Sequence, residues 1–140
     1  MIFEAHDFVM FGDVDASGIG HFAHQVRLLE RAEFFFLQHV GFTPEQWFLK
    51  EYLFPRVRLE VDYVSPLRFG NALRYQVQVG HLGHTSYSLK IDVVNDTTHK
   101  VAMKTRVTIV ALDTSTGRPT PLPENLREAF TPYLAAEVTG

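Results

Sequence analysis

Between Phe22 and Val40 the chain carries an apolar helical pattern too broad to rest on a flat surface. Val26, Leu29, Ala32 or Glu33, and Phe36 share one face, with Leu28 and Phe35 beside them, while Arg27, Arg31 and Gln38 look outward. At Phe34-Phe35-Phe36-Leu37 the apolar character runs nearly all the way round, which calls for a helix enclosed by other structure. Gly41 ends it in the C′ role. About five turns, ~27 Å by helical rise, require a curved sheet as cover.

The rest of the chain supplies such a sheet. Residues 2–11, with Phe3, Ala5, Phe8, Met10 and Phe11, predict a first strand. Thr43-Pro44-Glu45 predicts a fresh N-cap and a short helical turn through Trp47 to Lys50. After Pro55 the period becomes two. Val57, Leu59, Val61 and Tyr63 alternate with Arg56, Arg58, Glu60 and Asp62, a half-buried strand stopped by Ser65-Pro66. Leu73 to Val79, Tyr87 to Val93 and Val101 to Ala111 repeat the alternation, with turns at Gly80 to Gly83 and at Asn95-Asp96. These three strands form an antiparallel meander. Asp113 to Pro123 is a loop, and Glu124 to Leu134 a terminal helix interrupted at Pro132. The order predicts an α+β fold, residues 1–140 forming a single domain around one helix. Its free edges argue for a dimer.

Composition narrows the function. The net charge of −3 and the absence of any Lys/Arg run give no attraction to nucleic acid or to an anionic membrane. No apolar stretch approaches the ~18 residues of a membrane span, and the first residues lack the pattern of a signal peptide. The absence of cysteine excludes disulfides, thiolate metal sites and a cysteine nucleophile, and fits a cytoplasmic protein. The seven histidines show no metal-ligand spacing, so no metal and no cofactor are expected.

The chemistry concentrates just before the helix. Gly12 to His24 packs two carboxylates, three glycines and two histidines into thirteen residues. Glycines let the backbone lie close to a ligand, and the helix N-terminus directs unpaired N–H groups and partial positive charge into the loop. Such a place suits an oxygen that becomes negative during a reaction, with an acid beside the carbon under attack. The glycine spacing fits neither a P-loop nor a dinucleotide fingerprint. A plain Asx-turn and helix cap, with Asp13 and Asp15 only satisfying backbone donors, is the alternative.

The run Phe11-Gly12-Asp13-Val14-Asp15-Ala16-Ser17-Gly18-Ile19, followed by Arg27-Leu28-Leu29-Glu30-Arg31-Ala32, resembles the opening of hotdog-fold acyl-CoA thioesterases of the 4-hydroxybenzoyl-CoA thioesterase class. Val61 to Phe69 resembles that family's second strand and turn, and Asp113 to Pro123 its chain end. The resemblance implies a hotdog fold, a curved antiparallel sheet wrapped around one long apolar helix, assembled as a homodimer or homotetramer with active sites between subunits. It implies an acyl-CoA or aryl-CoA substrate. Asp15 matches the family's catalytic aspartate, nucleophile or general base, and Asp13 braces the loop. Phe22 stands where a backbone N–H at the helix start polarises the thioester carbonyl. Relatives associated with the envelope Tol-Pal system carry a histidine at that place, whereas here His21 precedes it and His24 follows, either being a candidate to orient water or protonate the leaving thiolate. Glu30 is a candidate for contact with the distal acyl group, or a solvated helix-face carboxylate. Arg68 and His84 occupy places where relatives carry phosphate-contacting residues. Two other functions stay open: a hotdog hydratase or dehydratase, and a non-catalytic acyl-CoA-binding protein.

Overall fold

The computed structural model describes residues 1–43 and 51–136. The short helical turn expected over Thr43 to Lys50 therefore lies, after Thr43, outside the described residues. Among the described residues seven strands and two α-helices follow in the order β1 (Phe3–Phe8), α1 (Phe22–His39), β2 (Tyr52–Leu53), β3 (Arg56–Tyr63), β4 (Ala72–Leu82), β5 (Ser86–Asn95), β6 (Lys100–Val110), β7 (Leu112–Asp113) and α2 (Glu124–Phe130). Strands β1, β4, β5, β6 and β3 form one antiparallel sheet in that spatial order, and β2 pairs with β7 in a small ribbon. Thus α1 lies in the stretch of chain that connects the two edge strands.

The two-residue period of the meander sets the packing. Leu73, Tyr75, Val77 and Val79 of β4 and Tyr87, Leu89, Ile91 and Val93 of β5 all turn inward and are buried. Thr105 interrupts the apolar row of β6, and it is tolerated because its hydroxyl donates to the Ile91 carbonyl at 2.7 Å. Register shifts at Arg56/Arg58, Val79/His81 and Val93/Val94 add local bends, as bulges do. Leu28, Leu29, Ala32, Phe36 and Leu37 of α1 join the same core. The helix ends in a Schellman arrangement. Gly41 takes φ +93°, its N–H donates to the Gln38 carbonyl, and the Phe42 N–H donates to the Leu37 carbonyl at 2.8 Å.

Three expectations need correction. The first strand stops at Phe8, opposite Ala72 where β4 begins, and only Phe3, Ala5, Asp7 and Val9 face inward or are shielded; Phe8, Met10 and Phe11 are exposed. The β3 strand is not half-buried. It is a sheet edge, and Val57, Leu59 and Tyr63 stand open to solvent. Arg31 does not look outward but turns back to Asp7 and Asp13. The terminal helix is interrupted at Pro132 as expected, in two pieces, α2 and a 3-10 turn over Thr131–Tyr133. These pieces close one end of the core. Phe130 and Tyr133 pack on Phe36 with ring centroids 5.4 and 5.2 Å away, and the Tyr133 hydroxyl lies 2.9 Å from His39 Nε2. No helix among the described residues is long and apolar enough to cross a membrane.

Phe36→Ala is expected to lower the unfolding free energy by about 3–5 kcal/mol, since its ring is fully buried among other rings. Phe8→Ala is expected to change it by less than about 0.5 kcal/mol. Urea titrations of both variants measure the contrast, and equal losses would contradict the β1 facing described above.

Candidate functional site

The loop before α1 is a small folded unit. The Asp15 N–H donates to the Ile19 carbonyl at 2.8 Å, the Gly18 N–H to the Asp15 carbonyl at 3.0 Å, and the His21 N–H to the Asp13 carbonyl at 3.0 Å. A second segment braces it from the side, through Gly20 N–H to the Leu67 carbonyl at 2.7 Å and Phe69 N–H to the Gly18 carbonyl at 3.0 Å. Two glycines are required here. Gly18 takes φ +81°, and a Cβ on Gly20 would run into the buried Gln25 side chain.

Asp13 is 3% exposed and structural in its contacts. Its carboxylate accepts the Met10 N–H at 2.8 Å and the two terminal nitrogens of Arg31 at 3.3 and 3.4 Å. Arg31 also donates from Nε to Asp7 at 2.8 Å and from Nη2 to the Phe8 carbonyl at 3.1 Å. The Tyr75 hydroxyl donates to the same Asp7 oxygen at 2.6 Å. Burial pushes the Asp7 carboxyl up, but Tyr75, Arg31 and the Phe8 amide together outweigh it and hold the group below the usual aspartate value. Desolvation and the same Asp7 carboxylate push the Tyr75 phenol up.

Asp15 differs from Asp13 in being exposed. Its Oδ1 accepts the Ser17 hydroxyl at 2.5 Å and the Ser17 N–H at 2.8 Å. The Ser17 hydroxyl first, then the Ser17 amide, with smaller help from the Ile19 amide and His21, hold its carboxyl below the ordinary range, so it is ionised at neutral pH. At the helix start His21 is the N-cap, its Nδ1 accepting the Ala23 N–H at 3.3 Å, and Gln25 N–H reaches the His21 carbonyl. This leaves the His21 proton on Nε2 when the ring is neutral. Among the described residues nothing accepts the Phe22 N–H. The Phe22 carbonyl accepts the Tyr63 hydroxyl at 2.6 Å, which ties the helix start to β3. The His24 ring lies 4.6 Å from that of His21.

The remaining candidates are distributed unevenly. Arg68 is exposed beside the loop, its backbone bridged to Ile19. His84 is exposed past the other end of β4, roughly 33 Å of extended strand away, so one protomer does not bring Arg68 and His84 together. Glu30 is exposed on α1 and lines an apolar cavity of about 750 Å³ with Ala23, Val26, Glu33, Phe34 and Leu59. A second cleft of about 510 Å³ is lined by Asp15, Val14, Ala16 and Gly18, with Phe11 and Phe69 as edge-to-face walls 6.1 Å apart. Phe11, Phe69, Ser17 and Arg31 have no role in the sequence reading of the site. Of these only Ser17 left a signal, as the residue two places after an aspartate in a turn. Among the described residues no group of three or more His, Asp or Glu side chains is placed to hold a metal ion.

A family profile described as the thioesterase-like superfamily matches residues 9–130. The chain is 25% identical over 122 residues to a 1,4-dihydroxy-2-naphthoyl-CoA hydrolase of Synechococcus elongatus, covering 86% of this chain and 88% of that one. It is also 25% identical over 122 residues to the acyl-CoA thioester hydrolase YbgC of Escherichia coli, covering 87% and 90%. Among solved structures, a 1,4-dihydroxy-2-naphthoyl-CoA thioesterase from Synechocystis superposes with a TM-score of 0.86 at 14% identity, covering 93% of this chain and 96% of that one. The architecture is the hotdog fold that the sequence resemblance implies.

The Asp7 carboxyl is held low in the folded protein, so the stability it contributes is complete above the unfolded value of 3.8 and is lost as the pH falls through the lower folded value. The stability gap between the wild type and Asp7→Asn is therefore expected to be widest near neutrality and to narrow in acid below pH 3.8. Denaturant titrations at several acid pH values test it; a gap independent of pH would remove Asp7 from the network.

Proposed function

Because the chain belongs to the thioesterase-like superfamily, we propose that it hydrolyses an acyl-CoA or aryl-CoA thioester to the free acid and CoA. The observation that carries the reading is the pairing, in one loop, of an ionised exposed carboxylate at Asp15 with an unpaired amide at the head of α1. The Phe22 N–H, reinforced by the helix dipole, donates to the thioester oxygen as it gains negative charge. One such preorganised donor is worth about 3 kcal/mol where it has been removed from other enzymes. Asp15 either attacks the carbonyl carbon, so that the C–S bond breaks and an anhydride forms that water then cleaves, or takes a proton from the attacking water. The free Nε2–H of His21 is the nearby donor for the departing thiolate.

The cavities support the same reading. The larger one begins at Ala23, one residue past Phe22, so an acyl group whose carbonyl rests on the Phe22 amide has an apolar wall to follow toward Glu30. Arg68, beside the loop, suits the phosphates of CoA. His84 serves the same site only from a second protomer. A homodimer provides one, and the open β3 edge with Val57, Leu59 and Tyr63 exposed is the surface that favours it. Dimers that pair again into a tetramer keep this contact.

Asp15→Asn is expected to reduce CoA release, followed with a thiol-trapping reagent across short, long and aromatic acyl-CoA substrates, by 100-fold or more on the scale of about 10²–10⁴ for acid–base groups, with the fold intact. Near-normal turnover in that variant would remove the assignment. Leu59→Asp places a charge on the open edge and is expected to shift the protein from dimer to monomer in size-exclusion chromatography with light scattering. A wild-type monomer, or an unaltered dimer in the variant, refutes the β3 contact.

A further inference from the structure

We infer that Ser17 is a positioning residue for this reaction, holding one oxygen of Asp15 so that the other is presented to the thioester. The inference rests on the reading of Asp15 given above. Both donors of Ser17 converge on the same atom, Oδ1, the hydroxyl at 2.5 Å and the amide at 2.8 Å. Among the described residues no hydrogen bond of comparable geometry reaches Oδ2. Two bonds to one oxygen stop the carboxylate from rotating about its last torsion, which is otherwise broad. Oδ2 is thereby left to act, and Asp15 lines a cleft walled by the uncharged rings of Phe11 and Phe69.

The two bonds separate a local turn from a functional device. An Asx-turn needs only the backbone N–H, which any residue except proline supplies at this position. The hydroxyl is what depends on serine, and it is a charge-assisted bond of the stronger class. It is also the largest contribution holding the carboxyl low. The surroundings add little that could replace it. From the loop the Ile19 amide faces Asp15, and from the head of α1 the His21 ring does. From the bracing segment, Arg68 is bridged to Ile19 through its backbone alone. Losing the hydroxyl therefore leaves Oδ1 held by the amide alone, which weakens the grip on the carboxylate without unfolding the turn.

Ser17→Ala, Ser17→Thr and Asp15→Asn, each in the full-length protein, test the inference. Ser17→Ala is expected to lower kcat for acyl-CoA hydrolysis by about 10- to 100-fold, the range of a hydrogen bond to a charged group, with KM little changed. Ser17→Thr, which keeps the hydroxyl, is expected to restore most of it. Followed by carbon-13 NMR of the carboxyl carbon, the Asp15 titration is expected to move up toward the ordinary 3.8 in Ser17→Ala and to return in Ser17→Thr. A merely structural serine would change the melting temperature without moving that titration. Wild-type kcat and titration in Ser17→Ala, or a threonine variant as impaired as the alanine one, overturns the inference. If Asp15→Asn is inactive while Ser17→Ala is normal, only the role of Ser17 falls; if Asp15→Asn stays active, the Asp15 reading falls with it.

Discussion

The Arg31 guanidinium joins the helix, the first strand and the loop that carries Asp15. It is anchored on α1, bonds Asp7 of β1 with its inner nitrogen, and holds Asp13 with its outer two. Planar geometry matters here, because a fork of donors spans two carboxylates where a lysine ammonium offers a single charged point. Desolvation works against the charged form, and Asp7, Tyr75 and Asp13 more than offset it, so Arg31 is firmly cationic. A half-buried cation between two anions contributes little net stability compared with well-packed apolar groups. Its effect is geometric. It sets where the loop leaves β1 and where it enters α1, and so where Asp15 stands relative to the free amide of Phe22.

The helix that anchors Arg31 is enclosed on one side only. Its inner face meets the sheet through Leu28, Ala32 and Phe36, all fully buried. Its other side borders the larger cavity, where Phe34 is exposed and β3 stands open. Glu33 occupies this boundary, nearly buried and ion-paired with Arg56 of β3. A carboxylate there is tolerable because its charge is matched. The apolar run Phe34-Phe35-Phe36-Leu37 thus serves two surfaces: Phe36 and Leu37 belong to the core, and Phe34 to the face left open in one protomer.

The candidate site was legible where its signal is local. Asp15, Gly18 and the helix start at Phe22 lie within eight residues of each other, and turn chemistry, left-handed glycine and helix capping all act over that range. Gly20 is needed for a different reason, the close approach of Gln25, which the same short range covers. Phe11 and Phe69, the walls of the cleft, were hidden because they are 58 positions apart and meet only through long-range pairing, of Val9 with Gly70 and Asn71 and of residues 18–20 with 67–69. Phe11 also looked like strand interior, since an apolar residue after an alternating run gives no sign that pairing has already ended. Helical periodicity predicts a solvent-facing Arg31 because it reports the direction of the Cβ and not the reach of a long side chain. The distance between Arg68 and His84 follows from the length of β4, yet it acquires meaning only once both ends of that strand are placed relative to the loop.

The sequence alone determined the class of the fold, the order of its main elements, the meander and the identity of the long helix, because these depend on period, turn residues and caps read over short windows. It also singled out the loop and Asp15. Tertiary structure decided which face of each edge strand is covered, which carboxylate of the loop is buried and which is exposed, and which oxygen of Asp15 is held. Those outcomes depend on contacts between residues far apart in the chain. A periodic pattern says that a strand has an apolar face; only the packed molecule says whether anything lies against it.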